Sequence, residues 1–321
     1  MTDRTLKLSI VIVTYNRSDA LLDTINYLFE LDEYGYLVDE IIIVDQTQNH
    51  TEATEDELQK WAEKELIKWI RLPSPNLTGA MNRGLTEACG EIILFLDDDI
   101  IPDKALLTGH LSAHQQKPLV AAVIGQVLQP GEQPKSVIYE PKKGALKAFM
   151  DFPFYSTTGC MVENAMAGNM SLKRDIALRL GGFDEQFIPP VAARFESEFA
   201  KRLIMAGEKI WFEPSASIQH LAIATGGTRA KGSHLNSAQP YFGFGDYYFA
   251  LKHGEPLECI LYCVTRFFRE VRTRYHLANP WYIPVKWVGE VRAFLMALRA
   301  SRVPQKLISD IRLDVKKSQN Q

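Results

Sequence analysis

The stretch Ile92-Ile93-Leu94-Phe95-Leu96-Asp97-Asp98-Asp99 constrains this 321-residue chain more than any other. Five apolar residues without a charge read as a strand buried on both faces, as inside a parallel sheet covered by helices. The strand then delivers three carboxylates into a loop. Adjacent anions at the mouth of a buried strand resist joint ionisation unless something positive sits among them. A hard divalent ion, Mg²⁺ or Mn²⁺, suits an all-oxygen ligand set and keeps positions open for a substrate's phosphates. The plain alternative is a solvated acidic turn capping a helix that begins near Pro102.

Further strands are expected over Leu8–Thr14, Glu40–Val44 and Ile67–Leu72, with helices between them. Leu21, Leu22, Ile25, Leu28 and Phe29 recur at helical spacing, and Glu52–Lys64 and Leu77–Cys89 read as two more helices. Strand, helix, strand at this spacing predicts βαβ units, hence an α/β fold around a mostly parallel sheet. Ligands of such sheets bind beyond the carboxyl ends of the strands. Thr14, Tyr15, Asn16 and Arg17, then Asp45, then Asp97–Asp99 all stand at such ends, so three strand tips converge on one crevice. The usual phosphate cradles are absent: there is no G-x-x-x-x-G-K-[ST], and no glycine precedes Gly35. Asn82 and Arg83 are expected in the first turns of the helix after Pro75-Asn76, where backbone N–H groups favour an anion. Arg83 also reads as an ordinary surface arginine.

Charge is distributed unevenly. Residues 250–321 carry 13 Lys and Arg against 6 Asp and Glu, and the remainder carries 23 against 33. The four cysteines have no metal-ligand spacing, which fits a reducing cytoplasm. No secretory signal or long uninterrupted apolar run is visible, so the expectation is a non-spanning protein.

Eight short segments carry a resemblance across residues 8–220: Ile10–Arg17, Ile42–Asp45, Gly79–Leu85, Phe95–Asp99, Ala167–Leu172, Gly181–Glu185, Phe195–Leu203 and Glu213–His220. In this order they resemble the inverting family 2 glycosyltransferases of the GT-A fold. The resemblance implies that Asp99 binds the metal and bridges it to the donor diphosphate, and that Asp97 contacts both metal and nucleotide ribose. Asp98 is a weaker member that could face solvent. Asp45 is implied to recognise the base, with Thr14, Tyr15 and Asn16 lining the same pocket, and Tyr15 offering a stacking face. His220 is implied near the diphosphate or metal, although a lone His on an apolar strand face is more often a packed core residue. The chain departs from the family pattern at Met81, where relatives often carry Arg, and at Gln46-Thr47.

The family's acidic pair maps onto Glu196-Ser197-Glu198, ahead of Arg202-Leu203. Glu198 has Lys201 and Arg202 at i+3 and i+4, the orientation of a solvent-facing ion pair. Glu196 has only Phe199 and Ala200 there. An unpaired carboxylate on a packed face tends towards a raised pKa, as a general base requires, so Glu196 is the expected catalytic base.

Three regions are expected: a catalytic domain over 1–222, a Gly-rich lid or acceptor loop over 223–249 bearing Arg229, Lys231 and His234, and a basic, aromatic-rich helical tail over 250–321. The tail's amphipathic helices would either touch a membrane surface or pack on the core or in a homodimer. The whole predicts a cytoplasmic, membrane-peripheral, metal-dependent inverting transferase. It would use a UDP-, GDP- or dTDP-sugar on a sugar or lipid-linked acceptor, without nucleic acid. The alternatives are a degenerate, non-catalytic binding or assembly subunit, and a sugar-1-phosphate nucleotidylyltransferase, whose Gly-rich first loop is missing here.

Overall fold

A computed structural model describes residues 6–140, 144, 146, 152–189, 191–229 and 233–308. The chain enters through β1 (Leu8–Thr14), whose residues alternate between two hydrophobic layers. Leu8, Ile10 and Ile12 pack with α1 (Ser18–Phe29) and its Leu21, Ile25 and Leu28 on one face of the sheet. Val11 faces the other layer with α4 (Leu77–Glu87). Both faces are covered, which is why β1 and β4 (Ile92–Leu96) are continuous apolar runs.

β2 (Val38–Asp45) and β3 (Lys68–Arg71) lie beside β1, joined through the one-turn α2 (Tyr34–Leu37) and α3 (Glu52–Glu63). The half-sheet β3-β2-β1-β4 is parallel throughout, as expected. Beyond β4 the sheet becomes mixed. β8 (Asn169–Lys173) runs antiparallel between β4 and β6 (Val120–Leu128), and β6 pairs in parallel with β9 (Lys209–His220). The helix expected to begin near Pro102 does not start there: Ile100–Pro102 forms β5, paired antiparallel with the end of β9, and α5 (Leu106–Gln116) begins four residues later. This pairing ties the loop after the aspartates to His220. The short β7 (Cys160–Val162) pairs with β9.

α6 (Arg174–Arg179) and α7 (Phe195–Met205) follow, and the expected boundary at 249/250 falls inside the next helix. Residues Tyr241–His253 form α8, in which Tyr247, Tyr248 and Phe249 are fully buried. Each such side chain contributes roughly 1.5–3 kcal/mol of hydrophobic stabilisation. Gly243 and Gly245 therefore belong to a core helix and not to a mobile loop. A Cβ on Gly245 would stand 1.8 Å from the Ala193 carbonyl, so only glycine lets α8 press against the turn before α7.

The tail continues as α9 (Pro256–Arg269), α10 (Arg274–Ala278) and α11 (Tyr282–Ala300), with α11 packed on α8. Among the described residues, no helix is long and apolar enough to cross a membrane. The final residues, 309–321, Lys231 and the side chain of Arg229 lie outside the described part, as does most of 141–151.

Candidate active site

The tips of β1, β4 and β9 meet. Asp97, Asp98 and Asp99 leave β4, and each finds a different environment. Asp98 does not face solvent: it is 4 % exposed and accepts from Thr14 Oγ1 at 2.7 Å and Arg17 Nη1 at 2.7 Å. Burial raises its pKa to about 6, against the pull of Arg17. Asp99 is fully buried. Its Oδ2 accepts from the Ile223 backbone N–H at 3.0 Å, and its Oδ1 stands 2.8 Å from Arg17 Nη1 and 3.2 Å from His220 Nε2. Burial would raise its pKa, but His220 and Arg17 outweigh it and hold Asp99 below its ordinary value. Asp97, by contrast, has a side chain 49 % exposed, 3.8 Å from His220 Nε2.

Arg17 is the permanent cation that the acidic run demanded. It is buried, pairs with both Asp98 and Asp99, and donates from Nε to the Thr225 carbonyl at 3.2 Å. Its pKa is raised: the aspartates outweigh burial. The Gly227 N–H donates to the Tyr15 carbonyl at 2.7 Å, so the segment after β9 is clamped onto the tip of β1.

Asp97, Asp99 and His220 each bring one ligand atom within 4.8 Å of the others, a set that could hold a divalent ion. The chemistry fits. Oδ1 of Asp99 is buried and has no hydrogen bond of good geometry, and Arg17 is shared between Asp98 and Asp99. His220 is not an enclosed core residue; its Nδ1 is held by Gln129 Oε1 at 2.9 Å, which leaves Nε2 facing the aspartates. A Cβ on Gly168 would come 2.2 Å from Asp97 Oδ2, so glycine at this position keeps the Asp97 carboxylate in place.

A cavity of about 310 Å³ opens here, lined by Thr14, Tyr15 and Arg17 from β1, Asp97 and Asp98 from β4, His220 from β9 and Glu196 from α7. Glu196 is the second residue of α7, behind Arg194, which adopts φ +70°, and Ala192 at φ +45°. Two non-glycine residues in the left-handed region within one turn are a local strain of the kind found at functional sites. Burial raises the Glu196 pKa to about 7; the charge of Asp97 adds to this, and Arg194 and the backbone N–H of Ala167 oppose it.

Glu198 is the opposite case, and it is not solvent-facing. It is fully buried, in a two-point pair with Arg202 (2.9 Å) and within 3.3 Å of His253 Nε2; Gln305 Nε2 donates to it at 2.6 Å. Burial alone would raise its pKa, but Arg202 and His253 bring it down to about 2.

Four expected ligand contacts lie off the cavity wall. Asp45 is fully buried and absent from the cavity wall. Its oxygens accept from the Thr47 N–H at 2.8 Å and Trp69 Nε1 at 3.0 Å, and meet His50 Nε2 at 2.7 Å. Asn82 is buried in α4 and locks that helix to the 183–185 turn through Phe183 and Glu185. Arg83 is exposed and pairs with Glu87 at 2.9 Å on its own helix. Asn16 sits at φ +56°, exposed, donating its N–H to Thr47 Oγ1. Gln46 and Met81, noted only as departures, do line the cavity. Sequence reasoning missed Gln129, Gly168 and Arg194. The Gly168-Asn169 dipeptide after a loop was the one available signal for close backbone approach.

Comparison with known proteins bears on the family and the fold. The family model described as Glycosyl transferase family 2 matches residues 9–173. A probable glycosyltransferase, YdaM, of Bacillus subtilis is 24% identical over 228 residues, covering 65% of this chain and 49% of its own. The glucosyl-dolichyl phosphate glucuronosyltransferase of Haloferax volcanii is 22% identical over 191 residues, 56% of each chain. This chain thus spans about half the length of the curated relatives it matches. The crystal structure of GalNAc-T7 with UDP, GalNAc and Mn²⁺ superimposes with a TM-score of 0.59 at 16% identity, covering 86% of this chain and 58% of that one, which establishes the GT-A fold.

Proposed function

From the premise that this chain belongs to glycosyl transferase family 2, we propose that it moves a sugar from a nucleotide-sugar donor to an acceptor hydroxyl, with inversion and with a divalent ion. One observation carries this reading: a single cavity is lined by Asp97 and His220, and also by a partly buried carboxylate, Glu196, whose pKa is about 7. The donor's diphosphate belongs at the Asp97–Asp99–His220 group. A Mn²⁺ or Mg²⁺ ion held there supplies Lewis-acid neutralisation of the leaving diphosphate. The similarity to a fold seen with UDP and Mn²⁺ supports that choice. Thr14, Tyr15, Arg17 and Gln46 border the nucleotide end of the cavity. Arg17 holds Asp98 and Asp99 in place, and Gln129 orients His220. Glu196 accepts the proton of the attacking hydroxyl; a carboxylate with a pKa near 7 is basic enough to do so at neutral pH.

The test is calorimetry with UDP, GDP and dTDP, each with Mn²⁺ and with chelator, followed by transfer assays on Glu196→Gln. Metal-dependent binding of one nucleotide, retained in a variant whose turnover falls about 10²–10⁴-fold, is the expected result. Undiminished turnover in Glu196→Gln would sink the assignment, and no nucleotide binding at all would favour a non-catalytic relative.

The tail adds a peripheral membrane contact to this proposal. Leu257, Ile260, Leu261, Val264 and Phe268 form one exposed stripe of α9, and Trp281, Val288 and Leu295 are exposed further along the tail, as are Arg269, Arg272 and Arg292. An apolar face with a basic fringe suits an anionic bilayer surface. Flotation with vesicles containing phosphatidylglycerol, and not with neutral ones, is expected; indifference to both, with a concentration-dependent dimer in sedimentation, would assign the face to self-association.

A further inference from the structure

We propose that a second cavity, behind Glu196, is the acceptor subsite and that it takes the ring of a saccharide; this rests on the transferase reading above. The cavity measures about 360 Å³ and is walled by Phe152, Phe154, Asn164, Arg194, Ser197 and Asp246. It shares three residues with the first cavity, Met166, Ala193 and Glu196, and Glu196 is the one ionisable side chain among them. A carboxylate bordering both spaces is where an acceptor hydroxyl must present its proton. The hydroxyl oxygen bonds to the anomeric carbon as that carbon's bond to the diphosphate oxygen breaks. The diphosphate leaves with the electron pair, and the hydroxyl proton passes to Glu196.

The walls match a pyranose. Phe152 and Phe154 meet edge to face at 5.1 Å and give an apolar side for ring C–H groups. Opposite in character are two donors left free by the fold. Asn164 spends its carbonyl oxygen on the Ala165 N–H (2.9 Å) and Ser197 Oγ (3.0 Å), while its amide nitrogen donates to none of the described residues. Arg194 donates through Nε to Asp246 Oδ1 at 3.0 Å, and its two Nη groups donate to none of them. Asp246 is itself saturated by Tyr262 Oη at 2.6 Å and Arg266 Nη1 at 2.8 Å, so it fixes Arg194 instead of binding ligand. Phe152, Phe154 and Asn164 lie within the residues matched by the family model, and Arg194, Glu196, Ser197 and Asp246 lie beyond them.

The experiment is saturation-transfer NMR on the full chain with methyl glucoside, galactoside, mannoside and N-acetylglucosaminide, each with and without Mn²⁺ and UDP, GDP or dTDP. At least one glycoside should receive saturation with the nucleotide present. Phe154→Ala and Asn164→Ala should each weaken it about tenfold, the effect of losing one stacking face or one aimed hydrogen bond. Nucleotide binding by calorimetry should stay unchanged, which also shows that the variants are folded. Binding of none of the glycosides, their displacement by nucleotide, or equal binding by both variants would overturn the assignment. Failure of the wild-type chain to bind any nucleotide while a glycoside still binds in this cavity would overturn the transferase reading alone.

Discussion

Two groups of three carboxylates are buried or half-buried in this molecule, and they are answered differently. Asp246, Glu270 and Glu290, between α8, α9 and α11, face four cations of the same chain, Arg194, Arg266, Arg269 and Lys286. Arg266 reaches Asp246 at 2.8 Å and Glu290 at 3.3 Å, Lys286 reaches Glu290 at 2.8 Å, and Arg194 reaches Asp246 at 3.0 Å. Tyr247 and Tyr262 donate to the same carboxylates. Burial alone would raise the Asp246 pKa, but Arg266 and Arg194 bring it down to about 2. Among the described residues, Asp98 and Asp99 share one permanent cation, Arg17, and Asp97 and Asp99 stand beside His220. A balanced group is a structural device that fixes how helices dock. An aspartate run with an exposed member and a buried oxygen lacking a good hydrogen bond is a group that could hold a divalent cation.

Substitutions can break that contrast. Asp99→Asn is expected to lower kcat/KM about a thousandfold, the upper end of what a single electrostatic contact to developing charge contributes, and to abolish metal-dependent nucleotide binding. Its Tm should fall somewhat, because His220 and Arg17, against burial, hold this carboxylate below its ordinary pKa, which stabilises the folded state; loss of stability together with unchanged nucleotide binding would make the trio structural. Arg266→Met should spare binding instead. Removing the central cation strands buried carboxylates at a cost of about 3–5 kcal/mol in denaturant unfolding, while protein that remains folded still binds nucleotide.

A pH profile makes a smaller, sharper test. Glu196 must be deprotonated to act, and its folded pKa of about 7 lies above the ordinary 4.5, so turnover should fall towards tenfold per unit as pH drops below about 7. Stability runs the other way. A carboxyl with a raised folded pKa favours the folded state below its unfolded value, and that contribution is lost as pH rises through about 7. Glu196→Gln should therefore raise Tm at pH 8 more than at pH 5. Since Asp97 contributes to the shift, Asp97→Asn should move the wild-type activity midpoint downward; a midpoint near 4.5 in the unaltered chain would show that Glu196 is not the group being titrated.

The pairing that separates the two glutamates of α7 was legible in the chain because helical spacing is local: Arg202 lies four residues from Glu198 and pairs with it, and Glu196 has no cation at that distance. What the spacing could not tell was that the Glu198 pair is buried beneath His253 and Gln305, more than fifty residues away. Asp45, Asn82 and Arg83 were expected at the ligand because strand ends and helix starts are where such sheets bind. Their carboxylate, amide and guanidinium are instead engaged by Trp69, Phe183 and Glu87, and nothing in linear order distinguishes a strand-tip carboxylate facing a cavity from one facing a tryptophan. The glycines at 243 and 245 misled for a similar reason. In sequence they resemble a loop, while in space one of them is a contact point between α8 and Ala193.

The sequence by itself determined the parallel half of the sheet, the delivery of three aspartates at its mouth and the pair of glutamates on α7. These follow from apolar runs and i to i+4 spacing, which depend on neighbours along the chain. Only the tertiary structure decided that Arg17 would be the cation among those aspartates, that Gln129 would turn His220 towards them, and that α8 would press on the strained turn carrying Glu196. Each of those requires segments tens to hundreds of residues apart to be brought within hydrogen-bonding distance, and burial then sets which charge is stabilised and which is left to meet a ligand.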